Sequence, residues 1–393
     1  MTAPKPRRVV VVGRSFAGAR VERALRQEEA LVDVTVIDAN AFFEYTPGIL
    51  RCFVEPASYE RLAVPFQGDV VVDRIIEVVV GSTKRVETAS GLKIEYDILV
   101  LATGSTYPGE LIKQAAGGET MESRRRAFAD EFGKIERAET IAIVGSGPVG
   151  VELAAEIVGK YGSGKKVTMF SRSARILPQM EPKASAHALT WFERSGNFDL
   201  VVEEEASEGA LESFDLVYRC FGSAANVNFR FPYRLSDSGA IRCRKTMQST
   251  DDDAIFALGP CAELEEDFDK TAFAADAQAV VVAKNILALV RGEKEAMVEF
   301  PGDVCYGSDR FPLVMCISLY KSAGILQQNS LVVHGRLGAL AKRIIEGFQL
   351  KIARSAGRTV ETTLWEMCEK VTLFVCCKIL PRPSANHHHK VKP

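Results

Sequence analysis

Two short segments carry residue types that hold phosphate through the backbone. Val9-Val10-Val11-Val12-Gly13-Arg14-Ser15-Phe16-Ala17-Gly18 lies at the start of the chain, and Ile141-Ala142-Ile143-Val144-Gly145-Ser146-Gly147-Pro148-Val149-Gly150 repeats its pattern. In each, four apolar residues run into a small-residue turn and then a helix-like stretch. The first glycine (Gly13, Gly145) permits a tight strand-to-helix turn. The second position (Ser15, Gly147) lets N–H groups approach a pyrophosphate, and the third (Gly18, Gly150) lets the helix pack close on the strand. The free N–H groups and dipole of the helix N-terminus then hold the anion. Ser15 stands where glycine is usual, but serine is small and can itself donate to a phosphate.

Each unit continues into a second strand, Val34 to Ile37 in the first copy and Val167 to Phe170 in the second. Asp38 closes the first of these, 20 residues beyond Gly18, where a carboxylate accepts ribose hydroxyls. Ala39 follows it. In the second copy Ser171 stands opposite Asp38, followed by Arg172 and, a little further on, Arg175. The pattern predicts two Rossmann-like dinucleotide-binding units in an α/β chain, with a smaller C-terminal α/β region.

Three later segments fit the same scheme. Tyr96 to Ser105 is a buried strand ending in Ala102-Thr103-Gly104. Phe214 to Gly222 is a weaker version of it. Ala254 to Gly259 is a late strand, followed by a helix-like run from Thr271 to Arg291.

Bulk properties narrow the function classes. A chain of 393 residues with 47% apolar residues supports two or three domains. A net charge of −2 gives no electrostatic case for specific nucleic acid binding. Nine scattered cysteines, without a CxxC pair, suit reduced thiols in an intracellular protein. The run Val9 to Val12 is too short for a signal sequence and reads as a first strand. No stretch approaches the about 18–20 apolar residues of a membrane span. The tail with His387 to His389 is expected to be disordered rather than a metal site, and no metal is expected elsewhere.

The order of these segments resembles the two-dinucleotide-binding flavoproteins, the FAD- and NAD(P)-dependent pyridine nucleotide oxidoreductases. The likeness covers about residues 8–300. Within that superfamily, the turn Gly13 to Gly18, the segment Phe43 to Leu50 and the C-terminal region from Phe311 are similar to the apoptosis-inducing-factor-like, ferroptosis-suppressor branch of NAD(P)H:quinone reductases. The resemblance implies that the first unit binds FAD and the second NAD(P)H. It implies a discontinuous FAD domain (1–106 and 240–295), an NAD(P)H domain (107–239) and a C-terminal interface region (296–393). Arg51, Ala102, Thr103, Gly104, Gly222, Gly259 and Pro260 join the cofactor-binding set. Glu152 is expected near the nicotinamide, or else serves as a first-turn glutamate on the helix dipole. Lys270 is expected at the acceptor side of the flavin, or else simply exposed.

Gly259-Pro260 departs from the usual Gly-Asp. Proline offers neither a side-chain acceptor nor an N–H, so a backbone group or Glu263 must take over. Arg172 suits a 2′-phosphate and hence NADPH; the alternative is a solvated loop arginine. The region after the first unit holds Cys52 alone, which argues against disulfide-reductase and sulfide:quinone-reductase chemistry. The expected activity is hydride transfer from NAD(P)H to FAD and on to a quinone-type acceptor. Two rivals remain open: a slowly turning redox-sensing interaction protein, and a soluble reductase of another carrier.

Residues from Arg336 to Arg358 read as a basic amphipathic helix. Leu337, Leu340, Ile344, Ile345, Phe348 and Ile352 line one face. Arg336, Lys342, Arg343, Lys351, Arg354 and Arg358 oppose Glu346 alone on the other. Such a helix lies on an anionic membrane surface or packs on the FAD domain. The run Val371 to Leu380 reads as a final core strand, or as a palmitate acceptor at Cys376 and Cys377. The expected location is cytoplasmic, or peripheral on a mitochondrial outer, lipid-droplet or plasma membrane.

Overall fold

The computed structural model describes residues 5–107, 112, 118–203, 206–265, 270–355 and 357–382. The histidine run lies outside them. The chain passes through β1 (Arg7–Val12), α1 (Phe16–Leu25), β2 (Val32–Asp38) and β3 (Ile98–Leu101). It continues through α2 (Met121–Arg137), β4 (Thr140–Val144), α3 (Pro148–Tyr161), β5 (Lys166–Ser171), α4 (Pro182–Ser195), β6 (Phe198–Val202) and β7 (Leu216–Arg219). β8 (Ile255–Ala257) and α5 (Ala272–Arg291) follow. The last elements are β9 (Val314–Leu319), β10 (Ala323–Gln328), β11 (Leu331–Gly335), α6 (Arg336–Ala353) and α7 (Val360–Phe374).

The internal echo is structural as well as sequential. The first sheet runs β8-β3-β1-β2 and ends on Val71–Val72, all parallel. The second runs β6-β5-β4-β7, also all parallel. In each, the strand before the Gly-rich turn sits between the next strand and a later one. β1 and β3 bury Val9 to Val12 and Ile98 to Leu101, which is why they read as unbroken apolar runs rather than alternating ones. β9, β10 and β11 form a third, antiparallel sheet. Two chain crossings lie side by side: Ser105–Thr106 pairs antiparallel with Ala224–Ala225.

Two expectations are corrected here. α5 is long and apolar enough to cross a membrane by composition, so one such stretch does exist. It is two-thirds buried within the molecule, and its inward polar groups are satisfied. Gln278 Oε1 accepts from the Gly259 N–H at 2.7 Å, and Asn285 Nδ2 donates to the carbonyls of Thr246 and Val298. The run Val371 to Leu380 is not a strand. It completes α7 and passes into one π-helical turn, Val375–Ile379, with Val371, Phe374 and Ile379 exposed and Leu373 and Cys376 buried. A ten-residue apolar run fits helix or strand equally well by periodicity alone. Burial of Cys376 also removes it as a palmitate acceptor.

Candidate active site

One cavity of about 650 Å³ collects most of the singled-out residues, a size within the usual range for ligand sites. Its lining includes Gly13, Ser15, Phe16, Ala17, Asp38 and Ala39 from the first turn and strand, with Ala102, Thr103, Gly104, Gly259, Pro260 and Lys270. Pro148, Val149 and Glu152 from α3 reach it from the second unit. The segment from Phe43 to Leu50 supplies Phe43, Glu44, Tyr45, Thr46, Pro47 and Leu50.

The first turn is built for close approach. Gly13 has φ +95°, and a Cβ there would overlap the Ala102 carbonyl. A Cβ at Gly18 would overlap the Gly13 carbonyl oxygen. Asp38 accepts the Arg14 N–H at 2.6 Å and the Asn40 N–H at 2.9 Å, one on each oxygen. Burial pushes its carboxyl up, and these two N–H groups oppose the shift. Beside it, the buried Asn40 Oδ1 in the cavity lining has no hydrogen-bond partner among the described residues. A tight glycine cradle, a ribose-positioned carboxylate and an orphaned amide oxygen fit the adenosine and pyrophosphate portion of FAD. Gly13, Ser15, Phe16, Ala17, Asp38 and Ala39 would hold it there.

The second turn repeats this geometry. Gly145 has φ +113°, and a Cβ at Gly150 would overlap the Gly145 carbonyl oxygen. Gly147 caps α3, with Pro148 at its first position, where a missing N–H costs nothing. Gly145, Gly147, Gly150 and Gly222 stand outside the lining of the large cavity. Ser171 is buried and internally bonded, 2.6 Å from Ser146 Oγ and 2.8 Å from the Ser173 carbonyl. Arg172 is exposed and has no partner among the described residues. Arg175 donates instead to the carbonyls of Leu177, Pro178 and Met180, so it holds a loop.

Several assignments change. Arg51 is outside the cavity lining. It forms a bidentate pair with buried Glu156 on α3, Nη2 to Oε1 at 2.8 Å, because a carboxylate one helical turn past Glu152 claims it first. Glu263 is also outside, with its carboxylate accepting from Ser238 Oγ. Lys270 Nζ lies 3.4 Å from the Pro260 carbonyl, and as a donor it cannot stand in for the missing carboxylate. Cys52 is fully buried, and burial pushes its thiol up to about 12, the behaviour of an inert core thiol.

Lys342 is the main residue that the sequence concealed. Its place on a basic helix face suggested a solvated charge. In the structure its side chain is only 12% exposed; it pairs with Glu152 at 2.8 Å and donates to the Cys316 carbonyl at 2.9 Å. Glu152 Oε1 also accepts from Ser318 N and Oγ. Burial opposes the Lys342 charge, but Glu152 together with Cys316 and Tyr45 outweighs it, and the Lys342 pKa is raised. Cys316, Gln349 and Trp365 join Lys342 in the lining. Only the C-terminal sheet and helices bring these to the site, and nothing in their local sequence signalled it.

Two dinucleotide turns on two parallel sheets, with one cavity between them and a third sheet, define a two-nucleotide oxidoreductase. The chain belongs to the pyridine nucleotide-disulphide oxidoreductase family, whose model matches residues 7–283. It is accordingly an FAD- and NAD(P)H-dependent oxidoreductase. Among its relatives, ferroptosis suppressor protein 1 of Taeniopygia guttata is 26% identical over 90% of this chain and 96% of its own. Apoptosis-inducing factor homolog B of Dictyostelium discoideum is 24% identical over 90% and 97%. In fold, the chain is similar to NDH2 of Plasmodium falciparum in complex with NADH (TM-score 0.68, 13% identity, 96% and 99% covered). It is also similar to the sulfide:quinone oxidoreductase of Aquifex aeolicus (0.70, 14%, 92% and 95%).

Proposed function

We propose that this oxidoreductase passes electrons from NAD(P)H through FAD to a small quinone-type acceptor, and that it works against a membrane surface. The carrying observation is what the C-terminal region adds to the cavity lining. There the buried Glu152–Lys342 pair meets α6 and α7, which both leave apolar side chains in solvent. Bound FAD supplies the hydride-accepting and electron-passing chemistry, so the chain needs to position and shield rather than to provide a nucleophile.

Lys342 does part of that. Its ammonium has three donors and spends two on Glu152 and the Cys316 carbonyl. The third remains for an oxygen that gains negative charge in the cavity. Glu152 keeps the lysine charged and fixed, and its second oxygen is free to orient a carboxamide. Lys270 places a second cation at the Pro260 side. Arg172, exposed and without a partner among the described residues, supports use of NADPH alongside NADH. The functional division we adopt is an FAD domain of 1–106 and 240–295, an NAD(P)H domain of 107–239 and an interface region from 296.

The membrane reading rests on which faces are open. Leu337, Leu340 and Ile344 on α6 are 66%, 50% and 50% exposed. Val360, Leu364, Met367, Val371 and Phe374 form a second open stripe on α7. Arg336, Arg343, Lys370 and Lys378 are exposed on the same elements. Apolar stripes with flanking cations suit an anionic lipid surface, from which a lipid-soluble quinone would enter.

Stopped-flow absorbance of the FAD-loaded protein tests the reading. NADH or NADPH should bleach the flavin within the dead time or shortly after, and a short-chain ubiquinone analogue should restore it rapidly. A bleached flavin that the quinone leaves unchanged removes the quinone from the proposal.

A further inference from the structure

Three locally unfavourable choices meet at one point of the fold. Gly159 lies inside α3, where glycine weakens a helix relative to alanine. Tyr320, in the turn between β9 and β10, has φ +56°, a left-handed backbone that a bulky residue adopts only under constraint. Arg51 and Glu156 form a largely buried ion pair, which is a weak source of stability. All three share a contact. A Cβ at Gly159 would stand 2.3 Å from Tyr320 Cγ, so only glycine admits the ring against the helix. The Arg51 guanidinium lies over the same ring, 5.0 Å from its centroid, while donating to Glu156 Oε1 at 2.8 Å. That separation is within cation–π range. Beside it Lys321 pairs with Glu55, and Tyr320 Oη reaches Glu55 Oε1 at 3.4 Å. Local rules broken together mark a functional or strained place.

The wedge joins parts of the chain that each line the cavity. Arg51 belongs to the 3-10 segment Thr46–Phe53, which gives Thr46, Pro47 and Leu50 to the lining. Tyr320 follows directly on β9, which gives Met315, Cys316 and Ile317 and whose Ser318 holds Glu152. On α3, Glu152, Glu156 and Gly159 are spaced i, i+4, i+7 and so lie on one face. That face touches the cavity at Glu152 and is gripped at Glu156 and Gly159, up to about 10 Å further along the helix.

We propose that Tyr320 is a positioning residue for hydride transfer. Wedged at Gly159 and held by Arg51, it fixes α3 on the C-terminal sheet and so sets Glu152 and the second Gly-rich turn against the flavin cavity. Such alignment is most of what the reaction asks of the chain, and a misplacement of ~1 Å costs on the order of 100-fold in rate. The second turn and α3 belong to one unit, so a slip of the helix carries the nucleotide turn with it. Nucleotide binding then survives and only the transfer slows. That split separates positioning from plain stability.

The test compares FAD-loaded Tyr320→Phe, Tyr320→Ala and Gly159→Ala full chains in anaerobic stopped flow, with NADH and NADPH each varied to saturation. Amide hydrogen exchange of α3 is followed in the same resting proteins. Tyr320→Phe keeps the ring and should match wild type. Tyr320→Ala should lower the saturating rate of flavin reduction at least about tenfold, with nucleotide dissociation constant and FAD content unchanged. Exchange from Glu156 to Tyr161 should quicken in it. Gly159→Ala raises helix propensity, so its expected loss of rate comes from the displaced ring and not from a weaker helix. In the Tyr320→Ala background the same substitution should cost nothing further, because the group it collides with is gone. Should Tyr320→Ala not retain FAD, Gly159→Ala beside Tyr320→Phe carries the test. No acceptor enters these measurements, so their outcome is independent of the quinone. The proposal is overturned if Tyr320→Ala melts earlier yet reduces flavin at the wild-type saturating rate, or if Tyr320→Phe is as slow as Tyr320→Ala. It is equally overturned if Gly159→Ala is as fast as wild type, or if the two losses add in the double variant.

Discussion

Glu152 shows how much of this site depends on single contacts. Its Oε1 takes two donors from Ser318 and one from Lys342, and both ionic side chains are nearly buried. Removing one partner of such a pair leaves an uncompensated charge, at a cost of about 3–5 kcal/mol. Lys342→Met should therefore lower the unfolding midpoint clearly and slow flavin reoxidation by acceptor more than flavin reduction by NAD(P)H. Calorimetry and the two stopped-flow phases measure these separately. Equal slowing of both phases would mean that Lys342 only supports the fold. Position 152 was legible as chemistry because it follows a Gly-rich turn. Its lysine partner was not, since 190 residues separate them.

At the scale of elements, the two Gly-rich turns and the C-terminal helix make different demands. Gly150 carries α3 against β4 with no room for a side chain. Gly150→Val should push the helix off the strand, raise the KM for NAD(P)H at least about tenfold (~1.4 kcal/mol) and leave FAD content unchanged. Loss of FAD in this variant would break the assignment of the second unit to the nicotinamide cofactor.

α7 docks through one buried cation, Arg20, which faces both Asp276 and Glu369, with Glu366 nearby. One guanidinium between two buried carboxylates leaves one of them holding a proton. Burial, then Asp276, pushes Glu369 up to about 7 against the pull of Arg20, and its Oε1 has no partner among the described residues. A carboxyl with a raised folded-state pKa binds more protons folded than unfolded, so its contribution to stability falls as pH rises from the ordinary glutamate range to about 7. Glu369→Gln should match wild type in unfolding free energy below that window and exceed it above, by on the order of 1–3 kcal/mol, with Tm moving in the same direction. A pH-independent difference between the two proteins would refute this account.

For the whole molecule, the testable claim is peripheral attachment. Co-sedimentation with vesicles containing anionic lipid should capture the protein, less so at high salt because the cationic contribution is screened. Leu340→Glu with Met367→Glu, on the exposed stripes of α6 and α7, should reduce capture at least tenfold while NAD(P)H still bleaches the flavin. Capture that survives both substitutions would place the attachment elsewhere.

The sequence by itself determined what short-range pattern encodes. The two Gly-rich turns, Asp38, the apolar strands and α5 and α6 are local events: a glycine needed for φ above zero, a run buried on both faces, a 3.6-residue period. They sufficed for the α/β class and for the dinucleotide chemistry, as the matched family bears out. Tertiary structure decided what depends on distant partners. It took Arg51 to Glu156 and Arg175 to loop carbonyls, because buried carboxylates and orphan carbonyls claim a guanidinium wherever the chain brings them close. It turned α6 so that Lys342 alone of its cations is drawn into the cavity, while Leu337, Leu340 and Ile344 stay exposed beside Arg336 and Arg343. Periodicity gives the two faces of a helix but not which one meets the core; that choice falls to the sheet of β9, β10 and β11 against which α6 packs.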